Sequence, residues 1–114
     1  MKTYKQSLML AGVILFLSAC SSDNFTKDEI LESLASNGIE GEEYEKYYKA
    51  INAIDGFGLK GDGFSIEIYE FASKNALNNN PLCTYKNGKF CLFIHENNTT
   101  SSNKRIIIKS FENI

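Results

Sequence analysis

The sequence predicts an α+β domain: two N-terminal helices, an antiparallel sheet of three to four strands built from two hairpins, and a C-terminal helix. Three observations carry this. Apolar residues recur at helical spacing between residues 27 and 54, the period falls to 2 after Gly56, and Asp62-Gly63 and Asn87-Gly88 offer hairpin turns between apolar runs. Helices segregated in sequence from antiparallel strands form a layer on one face of a sheet.

The elements follow in order. Thr26 and Glu29 form a capping-box pair and Phe25 and Ile30 take staple positions, so a helix is expected from Lys27 to about Ser36, stopped at Asn37-Gly38. Tyr44, Tyr47, Tyr48, Ile51 and Ile54 lie on one helical stripe, which predicts a second helix from Glu42 to about Ile54 with a tyrosine-lined core face. Beyond Gly56, a two-residue Asp62-Gly63 turn sets Leu59 opposite Ile66 and Phe57 opposite Ile68, all on one face. Ala72 to Asn80 reads as a short helical turn or loop ended by Pro81. A second hairpin is expected around Asn87-Gly88, with an apolar strand from Lys89 to His95, and Asn97 to Asn103 is a polar loop. Lys104 to Ile114 carries conflicting signals. Ile106-Ile107-Ile108 favours a strand by β-branching, whereas the spacing of Ile107, Phe111 and Ile114 suits a helix, and the helix is preferred.

Residues 1–19 stand apart from this domain. Lys2 and Lys5 precede Leu8 to Leu17, ten uncharged residues that rise about 15 Å as a helix, half the hydrocarbon thickness of a bilayer. A charged start, a short apolar run and small residues make a secretory signal rather than a span. Leu17-Ser18-Ala19-Cys20 closes the run and resembles the lipobox of bacterial lipoproteins, a resemblance confined to the first twenty residues. It implies a diacylglyceryl group on the Cys20 thiol, cleavage just before it and a lipidated tether over residues 20–25; the length that remains, residues 26–114, allows a single domain. Acyl chains contribute about 0.8 kcal/mol per buried methylene, so such a chain is held to the bilayer through Cys20 without crossing it. Ser21 follows the cysteine where an Asp would favour inner-membrane retention in that family. The implied place is the bacterial cell envelope, on the outer membrane facing the periplasm in a two-membrane host.

Charge narrows the partners. The whole chain has 12 basic and 14 acidic residues, and a net charge of −2 disfavours nucleic acid. Residues 20–56 hold nine acids and three bases, and residues 57–114 hold five acids and seven bases. The acidic part lies beside the anchor and is repelled by anionic headgroups, so no electrostatic membrane-docking surface is expected.

With Cys20 lipidated, Cys83 and Cys91 remain, and in an oxidising compartment they are expected to form a disulfide. A two-residue Asn87-Gly88 turn would send them to opposite faces. A three-residue Lys86-Asn87-Gly88 loop with Gly88 left-handed would set them opposite one another, and that loop is expected. Together with His95 they lack the close cysteine pair of a zinc site, and no thioredoxin-like C-x-x-C is present. Gly56-Phe57-Gly58-Leu59-Lys60-Gly61 spells G-x-G-x-x-G, but a helix is expected before it and a strand after it, the reverse of a dinucleotide site. Asp55 and Asp62 miss the EF-hand spacing. The sole histidine, His95, reads as an exposed loop residue, since nothing in the sequence nominates a nucleophile or orienting group beside it. Glu67 and Glu70 point to opposite faces of a strand and make a poor carboxylate pair.

No catalytic, metal or cofactor constellation emerges. The expected function is that of a small non-enzymatic binding or accessory module, of exclusion or immunity type or in support of a larger complex, with an envelope protein as partner. The alternatives are a small-molecule or metal-dependent enzyme using His95, and a purely structural envelope protein.

Overall fold

The computed structural model describes residues 25–46 and 48–114; residues 1–24, where the secretory signal and the acylated Cys20 are expected, and Tyr47 lie outside the described residues. In chain order the elements are α1 (Lys27–Ser36), β1 (Glu42–Glu45), a 3-10 turn (Lys49–Ile51), β2 (Asp55–Gly61), β3 (Phe64–Glu70), α2 (Lys74–Asn78), β4 (Tyr85–Asn87), β5 (Phe90–Ile94), a second 3-10 turn (Glu96–Asn98) and α3 (Ser101–Glu112). The strands form one antiparallel sheet of five in the order β1-β2-β3-β5-β4. The α+β class is as expected; the sheet is wider than expected.

The first helix forms where its caps dictate. Glu29 N–H donates to Thr26 Oγ1 and Thr26 N–H donates to Glu29 Oε1 at 2.8 Å, closing the capping box. Phe25 and Ile30 are both buried at the staple positions. The chain stops at Asn37 and Gly38, whose N–H groups reach back to the Leu34 and Ala35 carbonyls.

The expected pair of N-terminal helices is not present, because the second is replaced. Glu42–Glu45 is an edge strand paired with β2, and only Lys49–Ile51 keeps helical turns. The tyrosine stripe therefore never assembles: Ile54, its last member, is 52% exposed, and Ala53 is buried in its place. The physical reason lies in β2. Gly56 and Gly58 leave side-chain-free gaps on one side of the sheet, and a flanking strand that supplies an aromatic ring fills a gap that a helix stripe would not.

The first hairpin has the expected register. Phe57 pairs with Ile68 and Leu59 with Ile66 across the Asp62-Gly63 turn, and Gly63 adopts φ +78°. These four side chains, with Phe64, Phe90 and Leu92, form the sheet's contribution to the main core; Ile30 and Leu34 of α1, Phe25 just ahead of it, and Ile107 and Phe111 of α3 close it. Ser33 Oγ donates to the Ser110 carbonyl at 2.9 Å, tying the two helices together.

The second hairpin differs from expectation in its turn. Asn87 pairs with Phe90, so Gly88-Lys89 is a two-residue turn with Gly88 at φ +59°, and the three-residue loop is not formed. Cys91 stands opposite Lys86, not Cys83. The disulfide nevertheless closes, with the two Cα atoms 5.9 Å apart. Cys83 lies ahead of β4, where no ladder bonds hold the backbone, and the chain bends it back over Cys91. Around this bond a second, smaller core of Ala53, Tyr69, Phe71, Leu77 and Cys91 covers part of the opposite sheet face.

The C-terminal segment is a helix, starting earlier than the apolar spacing implied. Thr100 Oγ1 accepts from Asn103 N–H at 3.1 Å, so the last three residues of the expected polar loop become the first turn of α3. No helix among the described residues is long and apolar enough to cross a membrane.

With the cysteines 8 positions apart, closing so short a loop is worth about 2–3 kcal/mol against the unfolded chain. Urea unfolding with and without reductant, or of the Cys83→Ser/Cys91→Ser double variant, is expected to show a stability loss of that order.

Candidate functional site

The sheet has two unlike faces. One is sealed by α1 and α3. The other is covered at one end by the 3-10 turn and α2 and lies open at the end where Ser65, Glu67, His95, Tyr44 and Lys46 meet. Strand alternation assembles this group. Ser65, Glu67 and Tyr69 are alternate residues of β3, Tyr44 stands across β2 at Gly58, and Phe93 pairs with Glu67 just ahead of His95.

The glycines of β2 make room for the tyrosines. A Cβ at Gly58 would lie 2.1 Å from the Tyr44 ring, and one at Gly56 would lie 2.6 Å from the Tyr69 ring. Gly58 pairs with Tyr44 in β1, and Gly56 pairs with Tyr69 in β3. The G-x-G of this segment is thus a pair of slots for aromatic rings. Lys60 Nζ sits 5.5 Å from the centre of the Tyr44 ring and Lys46 Nζ 5.8 Å from it.

Glu67 is the centre of the polar group. Its Oε1 accepts from the Tyr69 hydroxyl, and its Oε2 accepts from His95 Nε2 at 2.5 Å and from Lys46 Nζ at 3.2 Å. Burial pushes this carboxyl up, but the bonds from Tyr69, His95 and Lys46 outweigh it and hold the pKa below the ordinary glutamate value. Tyr69 moves the other way: burial raises its pKa, and the Glu67 carboxylate raises it further. A carboxylate at Nε2 assigns the ring proton there, so a neutral His95 accepts at Nδ1 from the Ser65 hydroxyl 3.1 Å away. Tyr44 Oη lies 3.4 Å from Ser65 Oγ and completes the line.

His95 is therefore not the isolated loop residue expected from sequence; its side chain is 35% exposed and bonded at both nitrogens. A hydroxyl, an imidazole and a carboxylate in line are the parts of a nucleophile relay. Two features oppose that use. Ser65 is only 8% exposed, and its own N–H, a donor such a relay would need for a developing oxyanion, is taken by Thr99 Oγ1 at 3.1 Å. Glu67 and Glu70 do point to opposite faces, and Glu70 is paired with Lys89 at 3.0 Å. Among the described residues no group of three or more His, Cys, Asp and Glu side chains is placed to hold a metal ion. Cys83 and Cys91 lie together beneath the closed end of this face.

From Tyr44 and Lys46 a groove of about 440 Å³ runs along the β1 border toward the other end of the sheet, and its walls include Lys27, Tyr48, Asp55 and Phe57. No protein-family model, curated protein or solved structure matches the chain.

Two outcomes check this geometry. Gly58→Ala is expected to cost about 1–3 kcal/mol by overpacking against Tyr44, and Tyr44→Ala in the same chain is expected to recover part of it in a double-mutant cycle. Glu67, with its folded pKa depressed, contributes stability that is present above the ordinary glutamate value of 4.5 and lost as pH falls through its folded pKa. Denaturant titrations are expected to show Glu67→Gln weakening the acid-side slope.

Proposed function

We propose that this chain is an envelope lipoprotein, acylated at Cys20, whose folded body is a small non-enzymatic module that binds an envelope protein partner through the open end of the second sheet face. The observation that carries the reading is the pre-organised group on that face. Glu67 is fixed by three donors, and beside it Tyr44 and Tyr48 line a groove together with charges of both signs. Tyrosine is enriched at the hot spots of protein interfaces, and a surface already held in place loses little conformational entropy on docking. A small-molecule site is instead a concave, mostly apolar pocket, and Glu43, Glu45 and Asp55 on the groove wall are exposed.

The Cys83–Cys91 bond supports an oxidising compartment, in keeping with export by the N-terminal segment and with an outer-membrane, periplasm-facing place in a two-membrane host. The line from Ser65 through His95 to Glu67 favours the second reading, an enzyme working through His95. The burial of Ser65 and the engagement of its N–H weigh against that reading, and the line is better explained as the brace that orders the open face.

Three experiments test the proposal. Mass spectrometry of the native protein is expected to show a chain that begins at an acylated Cys20, and an intact Met1 would overturn the anchoring. A photo-crosslinking residue at Lys60, on the open face, is expected to give a discrete protein adduct in intact cells, whereas one at Glu32 on α1 gives none; equal yields from both would overturn the binding surface. A fluorophosphonate probe is expected to leave Ser65 unlabelled, and stoichiometric labelling lost in His95→Ala would establish the enzyme instead.

A further inference from the structure

The tether enters the domain at one defined end of the sheet. Phe25 is buried and stacks on Phe90, ring centres 5.2 Å apart, and Phe90 shares a cross-strand row with Glu70 and Asp55. From Cys20 to Phe25 the chain reaches at most about 17 Å, so a lipid at Cys20 keeps this row near the bilayer.

Ile54 and Leu82, two of the three large apolar side chains exposed among the described residues, belong to the same end. Ile54 precedes Asp55 and donates its N–H to the Glu70 carbonyl at 2.8 Å. Leu82, 61% exposed, shares a groove of about 340 Å³ with Ile51, Phe71 and Pro81. Asn80 holds that groove together, donating from Nδ2 to the Ile51 carbonyl and accepting at Oδ1 from Leu82 N–H. Phe71 N–H donates to the Lys89 carbonyl, which fixes the groove to the turn just before Phe90. Lys49 and Lys74 are exposed on the flanking 3-10 turn and α2.

We infer that this end of the domain, led by Leu82 and Ile54, rests in the headgroup region of the bilayer that carries the anchor. The inference rests on acylation at Cys20, which alone supplies the strong attachment; the apolar contact sets the orientation. Isolated leucine and isoleucine side chains too few to hold a soluble protein on a membrane suffice to bias one that is already tethered, since the tether supplies a high local concentration of surface. His95 lies about 17 Å from Phe90 along β5, so in this orientation the open face's polar group stands off the membrane while the Asp55 end of the neighbouring groove faces it.

The chain contains no tryptophan, so a single introduced indole reports its own surroundings. The acylated Leu82→Trp protein is reconstituted into vesicles of phosphatidylethanolamine with a minority of phosphatidylglycerol, and an acylated Asp62→Trp protein, labelled at the opposite hairpin turn, serves as reference. The expected result is a blue-shifted indole emission from the Leu82→Trp protein, quenched severalfold more by lipids brominated near the headgroup than the emission of the Asp62→Trp protein. Equal quenching in both proteins, with each still floating with the vesicles, overturns the inference and leaves the anchoring intact. Failure of the native, unsubstituted protein to float with vesicles overturns the anchoring and the inference together. The Leu82→Trp chain beginning at Cys20 but carrying no acyl group gives the unanchored baseline, and a vesicle spectrum indistinguishable from it also counts against the inference.

Discussion

The fit of tyrosine rings into the glycine gaps of β2 is the constraint on which much of the structure depends. Gly58 admits Tyr44 from β1, and Gly56 admits Tyr69 from β3. The first contact makes Glu42–Glu45 a strand and widens the sheet to five. The second sets the phenol whose hydroxyl binds Glu67. Removing the gaps would displace both rings, and with them the edge of the sheet and the carboxylate at the centre of its open face. An interior glycine ordinarily weakens a strand; here its cost is offset by ring burial against bare backbone.

The two sheet faces divide the work of the fold. The face under α1 and α3 is apolar and sealed, and supplies most of the hydrophobic stabilisation. The other face is half covered, and its covering layer is short: one 3-10 turn, one helical turn and a half, and a disulfide. So small a layer buries little surface of its own, and the Cys83–Cys91 bond compensates by removing freedom from the unfolded chain. What remains uncovered is braced by hydrogen bonds. A partly buried carboxylate with three donors is costly to leave half satisfied, so the Glu67 group holds its geometry without a helix over it.

Local signals in the sequence locate the elements they physically control. The Thr26–Glu29 box, the Asn37-Gly38 stop and the Asp62-Gly63 turn each act within a few residues, and each stands in the structure where its chemistry requires. The β1 segment is not legible, because a stripe such as Tyr44, Tyr48 and Ile51 describes a helix until the partner strand with its glycines is known. The turn at Gly88-Lys89 departs from expectation because a disulfide need not bridge paired residues: Cys83 has an unladdered stretch in which to bend. For the candidate site, the i, i+2 spacing of Ser65, Glu67 and Tyr69 on one strand is readable as a shared face; that His95 arrives beside them depends on β5 pairing with β3, a long-range register that composition does not encode.

The outer border of the sheet carries a further consequence. β1 is an edge strand of four residues, three of them glutamates, while the β4 edge is short and lies against α3, with Asn87 donating to the Phe111 carbonyl. A bare strand border is a template on which copies of one chain can zip into ribbons. Glu43 is held by Lys27 at 2.9 Å, which leaves Glu42 and Glu45 as carboxylates along that border; like charges of this kind make each copy repel its neighbour's, so crowding need not become polymerisation.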